Sequence, residues 1–303
     1  MSSSPLLVGL ELDEQRVAAV IVDREPRARA SARVAGALDA AARGVLREVL
    51  AQSAGATGAL PIGVASNTPD SPAVAGAVAA LAAEFPGVAS PPGIVAAGSA
   101  AALAESWIGA ARDAGDVVFF AIGDRAAGGV VRRGAIVGGS RGRAASVSWL
   151  ALNPVEREDY RRSGCLEAEA AAPGIVRRLV WRVKAGDRSR VQEVVGDDLA
   201  AITIDHVLAA ARDGDGVAVS VIRDTAKYLG MAAANLVAVV DPDTLVLGGL
   251  MASAADLLFE AVRVEIGRRL PRAMADALTI VPSALGAEAA AVGAARLSAA
   301  ALP

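Results

Sequence analysis

Apolar and polar positions alternate along Leu6–Leu10 and Arg16–Val22, and the tight turn Asp13–Glu14 between them predicts two strands around a hairpin tip. Ala28–Val34 adds a third strand. The period then changes to that of a helix. Ala40–Ala51 puts Val45, Leu46, Val49 and Leu50 on one face, with Asp39 as its N-cap. Leu60–Ala65 is a short buried strand, and Pro72 opens a helix that runs to Phe85 and stops at Pro86–Gly87. A Pro/Ser/Gly loop at 86–93 leads to a brief extended piece, Ile94–Ala97. Ser99 then caps an apolar helix reaching about Ala111.

The pattern restarts after Asp113–Gly115. Val117–Ile122 (VVFFAI) is rich in β-branched and aromatic residues, as a central strand should be. Gly123 ends it, and Gly128–Gly129 turn the chain back into Val130–Val131. Ala135–Val137 and Val147–Leu152 continue a sheet, and 153–164 is polar and irregular. Helices are predicted at 165–171, 173–184, 189–195 and 203–212, and from Asp215 to about Val239. Asp241–Pro242–Asp243 is a break. Thr244–Leu247 is a strand closed by Gly248–Gly249, a helix covers 254–269, Leu278–Val281 is the last strand, and Ala287–Ala301 is an apolar terminal helix. Strands followed by helices, twice over, define an α/β protein of two lobes. The boundary falls near 113, giving an N-terminal α/β lobe at 1–113, a C-terminal α/β lobe at 114–286, and a terminal helix within 287–303 that packs back on the first lobe.

Composition narrows the picture. Hydrophobic residues make up 54% of the 303 and aromatics only 3%, so alanine and valine fill most of the core. A net charge of −3 argues against direct nucleic-acid binding, which wants a basic face. The start, MSSSPLLVG, lacks the basic region of a signal peptide, and no apolar run reaches the ~18 residues of a membrane span. Cys165 is the only cysteine, which fits a reducing cytoplasm and rules out a multi-cysteine zinc site.

The order of motifs resembles the ROK family of repressors and sugar kinases. LLVGLELDEQRVAAVIVD is similar to its first phosphate loop, AAGSAAALAESWIGAAR to its catalytic segment, and DVVFFAIGDRAAGGVVRRGAIVGG to its second phosphate loop. SGCLEAEAAAPGIVRR is similar to the end of its zinc signature, ANLVAVVDPDTLVLGGLMASAADLL to its adenosine-side segment, and ALGAEAAAVGAARL to its terminal helix. The resemblance implies a two-lobed actin-like, hexokinase-like ATPase fold (ribonuclease H-like), with mixed sheets flanked by helices. It also implies a dimerising C-terminal lobe, hence a homodimer.

Residue by residue, the chemistry that the resemblance implies is altered. The aspartate and Gly-Gly-Thr of the first loop correspond to Glu11 and Asp13–Glu14–Gln15. An acid at roughly 5 Å from a phosphate, at an effective dielectric near 20, costs about 3 kcal/mol. The plainest reading of this tip is a solvated hairpin. The family's base aspartate falls on Ala97, and the nearest acid on that helix, Glu105, lies about two turns on. The second loop becomes Gly123–Asp124–Arg125–Ala126–Ala127–Gly128–Gly129, with an acid in place of a hydroxyl. The sugar-contacting glutamate and the zinc-binding histidine fall on Ser146 and Trp149, and the three zinc cysteines on Glu158, Tyr160 and Cys165, so no zinc is expected. Trp149 either stacks on a sugar or fills the space that the metal leaves. Glu167 matches the remaining sugar-contacting glutamate, and Gly248–Gly249–Leu250 the adenosine-side glycines. Asn67 is the polar residue left in a shortened sugar loop. His206, the only histidine, reads as a helix residue.

Arg125, Arg132, Arg133, Arg141 and Arg143 cluster around strands that the resemblance places at an interlobe cleft, where arginine forks suit a sugar phosphate. Solvated strand edges paired with Asp13, Glu14 and Asp124 are the simpler account. The expected function is a sugar-kinase-like protein that has lost phosphoryl transfer and binds a ligand, regulates or scaffolds. One alternative is an ATP-dependent hexose or N-acetylhexosamine kinase, glucokinase-like and needing Mg-ATP. The other is an indirect transcriptional regulator, since a first strand at about Leu6 leaves no room for a helix-turn-helix before it.

Overall fold

The computed structural model describes residues 6–23, 26–52, 61–85, 88 and 93–299. The chain forms two compact units that are not simple halves: one of residues 1–119, 128–145 and 284–303, the other of 120–127 and 146–283.

The first sheet has the order β3-β2-β1-β4-β5. Its strands are β1 Leu7–Leu12, β2 Arg16–Val22, β3 Pro26–Arg33, β4 Ile62–Ser66 and β5 Ile94–Ala96. β1 pairs antiparallel with β2 and parallel with β4, and β5 runs parallel to β4. Between β3 and β4 lies helix α1, Leu38–Ala51, which buries Ala42, Val45, Leu46 and Val49. Asp39 is not its cap. The helix opens two residues earlier, with Ala37 at its cap, and Asp39 sits in the first turn, ion-paired to Arg43. Helix α2, Pro72–Glu84, starts on a proline as predicted. Leu60 and most of the 86–93 loop lie outside the described residues.

Helix α3, Ala97–Trp107, follows β5 without a linker. Ser99 is therefore inside the helix and buried, not at its cap. β6 Asp116–Ile122, β7 Ala126–Arg132 and β8 Ala135–Ile136 come next, and the second sheet reads β10-β9-β6-β7-β8. The strand predicted at Val147–Leu152 is absent. Ala145 takes a left-handed φ of 57°, which breaks an extended path, and Val147–Trp149 forms one 3-10 turn.

Helices then dominate: α4 Glu158–Ser163, α5 Cys165–Ala170, α6 Ala172–Lys184, α7 Arg190–Val194, α8 Ile204–Arg212 and α9 Gly216–Val240. Asp215 caps α9 through the Ala218 N–H. His206 and Thr203 cap the start of α8 reciprocally, so the single histidine serves a helix end. β9 Thr244–Gly249, α10 Leu250–Ser253, α11 Ala255–Gly267, α12 Arg272–Ala277 and β10 Thr279–Pro282 complete the second unit, with β10 parallel to β9. Helix α13, Ala289–Ser298, belongs to the first unit and packs on α3, β1 and β4. No helix among the described residues is long and apolar enough to cross a membrane.

Candidate functional site

The β1–β2 tip is a self-contained hairpin turn. The Asp13 N–H donates to Arg16 O at 3.0 Å, and the Gln15 N–H donates to Asp13 Oδ1 at 3.0 Å. Asn67, just beyond β4, donates its Nδ2 to Asp13 Oδ2 at 3.2 Å. The structure thus brings Asn67 and Asp13 together, as turn and strap. Glu14 and Gln15 are exposed. No glycine or hydroxyl sits between Leu12 and Arg16 to bring backbone N–H groups against a phosphate.

Glu11, near the end of β1, is largely buried. Its Oε2 accepts from Arg16 Nη1 at 3.3 Å, and the same Nη1 donates to Ala287 O at 3.1 Å. Burial pushes the Glu11 carboxyl up to about 7, Arg16 pulls against that, and Asp13 adds to it. The folded state therefore holds a proton that the unfolded chain gives up near its ordinary value of 4.5. Stability contributed by this group is full below that value, declines as pH rises, and is lost above about 7. A Glu11→Gln variant is expected to remove this decline and to be more stable than the parent at pH 8 by on the order of 2 kcal/mol. Urea unfolding at pH 5 and pH 8 measures both. Equal slopes in parent and variant would refute the assignment.

Ala97, the residue expected at the position of the family's base, is the first residue of α3 and is buried. The space in front of this helix start is taken by main chain. A Cβ added at Gly98 would lie 2.2 Å from Gly128 O, and one at Gly129 would lie 2.1 Å from Gly98 O. Gly128 and Gly129 are therefore not the turn expected from sequence. They lie within β7 and let it touch α3 directly. Glu105 is fully buried. It accepts from the Ala110 N–H at 2.7 Å, the Leu285 N–H at 3.0 Å and the Ala284 N–H at 3.3 Å.

In the second unit, the turn after β6 closes with the Gly123 N–H on Arg125 O at 2.9 Å, and Asp124 and Arg125 are exposed at its tip. Glu167 reaches this turn from α5 and accepts the Ala126 N–H at 2.9 Å. Burial pushes the Glu167 carboxyl up, while that hydrogen bond and Arg125 oppose the shift. Gly249, with φ 60° and ψ −133°, sits where a Cβ would lie 2.0 Å from Ile122 O. The Gly248–Gly249 turn survives, with Leu250 opening α10 behind it.

Ser146 is exposed, and Trp149 is 57% exposed, so the tryptophan does not plug a vacated metal site. Cys165 is buried against Tyr160, Ala168 and Leu152. Among the described residues, no three His, Cys, Asp or Glu side chains converge as metal ligands. Two of the arginines pair with acids other than those expected. Arg132 grips Asp116 at 2.9 Å and holds that carboxyl below its usual range, and Arg143 grips Asp70 at 2.9 Å. Arg133, at φ 49°, donates its N–H to Gly115 O at 2.7 Å, and Arg141 is exposed.

A mixed α/β chain with these two sheets has the actin-like ATPase fold. The sequence model of the ROK family matches residues 92–301, and the chain belongs to that family. It is 32% identical over 196 residues to the glucokinase of Halalkalibacterium halodurans, a match covering 64% of this chain and 59% of that protein. It is 29% identical over 185 residues to the DNA-binding transcriptional dual regulator NagC of Escherichia coli K12, covering 61% of this chain and 44% of that one. Each match thus spans less than two thirds of the relative's own length. Among solved structures, a ROK family glucokinase from Streptomyces griseus in complex with glucose and AMPPNP superposes with a TM-score of 0.78. The two are 20% identical, and the match covers 97% of this chain and 99% of that one. A ROK hexokinase from Thermus thermophilus gives a TM-score of 0.70 at 25% identity, covering 97% and 98%.

Proposed function

We propose that this chain is a ROK protein that has lost ATP-dependent sugar phosphorylation and acts without catalysis, binding a sugar or sugar phosphate as a regulatory or scaffold homodimer in the cytoplasm. The observation that carries this reading is at α3. Its first residue is Ala97, and its one acid, Glu105, is buried at the far end under three main-chain donors. Removing a general base costs ~10²–10⁴ in rate, and Glu105 cannot turn outward to replace it without abandoning those donors. The phosphate-side loops point the same way. Asp13 and Glu14 form a closed hairpin tip, and the 123–127 turn is held by Glu167, another acid. Phosphoryl transfer depends on positioning and charge stabilisation, and negative side chains supply neither to a triphosphate.

Titration calorimetry with Mg-ATP, alone and with hexoses, amino sugars and their phosphates, tests the proposal. The expected result is no nucleotide binding at millimolar concentration and no sugar-dependent ATP turnover. A sugar or sugar phosphate that binds alone would support the sensor form, and sugar-dependent ADP production would overturn the proposal. The second reading, an ATP-dependent sugar kinase, draws its support from the likeness to the glucokinases of H. halodurans and Thermotoga maritima. The likeness to NagC supports a part in transcriptional control.

A further inference from the structure

The resemblance puts a structural zinc ion at Trp149, Glu158, Tyr160 and Cys165, and these residues do not fit one. Trp149 is exposed, and Glu158 faces solvent paired to Arg162 at 2.7 Å. The Tyr160 hydroxyl is committed elsewhere. It donates to Glu169 Oε1 and accepts from Asn153 Nδ2 at 3.3 Å. Cys165 and Glu158 could ligate zinc by chemistry, but Glu158 points into solvent, and one buried thiol builds no site.

What stands here instead is a buried ionic cluster centred on Glu169, whose side chain is 5% exposed. Arg157 Nη1 donates to Glu169 Oε1 at 3.2 Å, and Arg178 Nη1 lies 3.8 Å from Oε2. Arg157 and Arg177 share Asp159 at 3.1 and 2.8 Å. Arg178 ties the cluster to α9 through Thr225 Oγ1 at 2.6 Å, and Arg177 ties it to α5 through Ala168 O at 2.6 Å. Flat groups fill the remaining space. The Arg157 guanidinium lies 5.4 Å from the Tyr160 ring and 4.8 Å from Trp181, which Arg177 also covers at 4.9 Å. Burial and the neighbouring Glu169 drive the Tyr160 hydroxyl well above its usual range, which keeps it a donor.

We infer that this cluster is a metal-free staple fixing the 153–163 segment onto α5, α6 and α9. It joins the same stretch of chain that a zinc ion would clip, and it uses charge pairs inside the fold in place of thiolates. The desolvation of such pairs offsets much of their attraction, but breaking one by removing a partner leaves buried charge uncompensated.

The test is limited trypsin digestion of the folded full-length chain, following cleavage after Arg161 and Arg162, both exposed on α4. Cleavage of a briefly opened segment reports its opening equilibrium. Glu169→Ala is expected to be cut at least tenfold faster than the parent, equivalent to about 1.4 kcal/mol of local opening. Tyr160→Phe should be cut roughly threefold faster. Glu158→Ala and Trp149→Ala, at two positions of the zinc signature, should be cut like the parent. A strong zinc chelator should change neither the parent's cleavage rate nor its melting temperature. If Glu169→Ala does not fold, Tyr160→Phe carries the test alone. One zinc per chain by metal analysis, with faster cleavage under chelator, would overturn the inference. So would parent-like cleavage of Tyr160→Phe together with parent-like or absent Glu169→Ala.

Discussion

A Gly293→Ala chain is expected not to reach the native state. Helix α13 lies on α3, β1 and β4 with main chain against main chain. A Cβ at position 293 would sit 1.8 Å from Ala100 O and 2.3 Å from Ala100 C. Gly9 and Gly63 make the same approach from the sheet, where a Cβ would lie 1.9 Å from Ala291 O and Ala294 O respectively. Neither obstacle is a side chain that can rotate away, so α13 itself would have to lift. Lifting it opens the seam that buries Ala100, Ala104, Ala290, Ala291, Ala294 and Ala295. Overpacking that side chains can absorb costs ~1–3 kcal/mol. Here the expected cost exceeds about 4 kcal/mol, a large part of a usual margin of 5–15 kcal/mol. Gly76→Ala is the control. It is exposed in α2 with open space around it, and the change should stabilise by about 0.5–1 kcal/mol. Soluble yield and thermal melting separate the two. A Gly293→Ala protein melting within a few degrees of the parent would mean that α13 is not seated this closely.

That seam also explains what could be read from the sequence. Alternation and the 3.6 period exposed the β1–β2 hairpin, the buried face of α1 and the long α9, because each is set by contacts along its own segment. Local rules failed where the neighbouring chain or a distant segment decided. Ser99 has the chemistry of a cap, yet β5 runs straight into α3 and puts it inside the helix. Gly128 and Gly129 read as a turn, yet their lack of side chains serves the contact with Gly98. Val147–Leu152 has strand composition, yet Ala145 turns left-handed ahead of it. At the candidate site, the alanine at 97 and the acids at Asp13, Glu14 and Asp124 were legible because they are matters of residue type. The Glu169 cluster was not, since a glutamate on a short helix looks solvated until Arg157, Tyr160 and Arg178 close over it. The one available signal was the density of arginine on both sides of Glu167 and Glu169.

Glu105→Ala is expected to cost about 4 kcal/mol of folding stability, with Glu105→Gln costing about 2. The carboxylate is wholly buried and satisfies three N–H groups, from Ala110 beyond α3 and from Ala284 and Leu285 ahead of α13. Hydrogen bonds to a charged group are worth ~1.5–3 kcal/mol each, and alanine would take the shared acceptor away from three part-buried donors. Glutamine keeps the volume and one acceptor oxygen, but its NH₂ faces a donor. Urea unfolding of the three proteins gives the order directly. The same series separates a structural Glu105 from a substitute general base. A base would lose activity in Glu105→Gln at nearly unchanged stability. A latch loses stability in proportion to the donors left without a partner, whatever the activity. Parent-like stability in Glu105→Gln, together with sugar-dependent ATP turnover in the parent that the variant lacks, would return the residue to catalysis. The expected order ties the one acid of α3 to the segment that leads into α13.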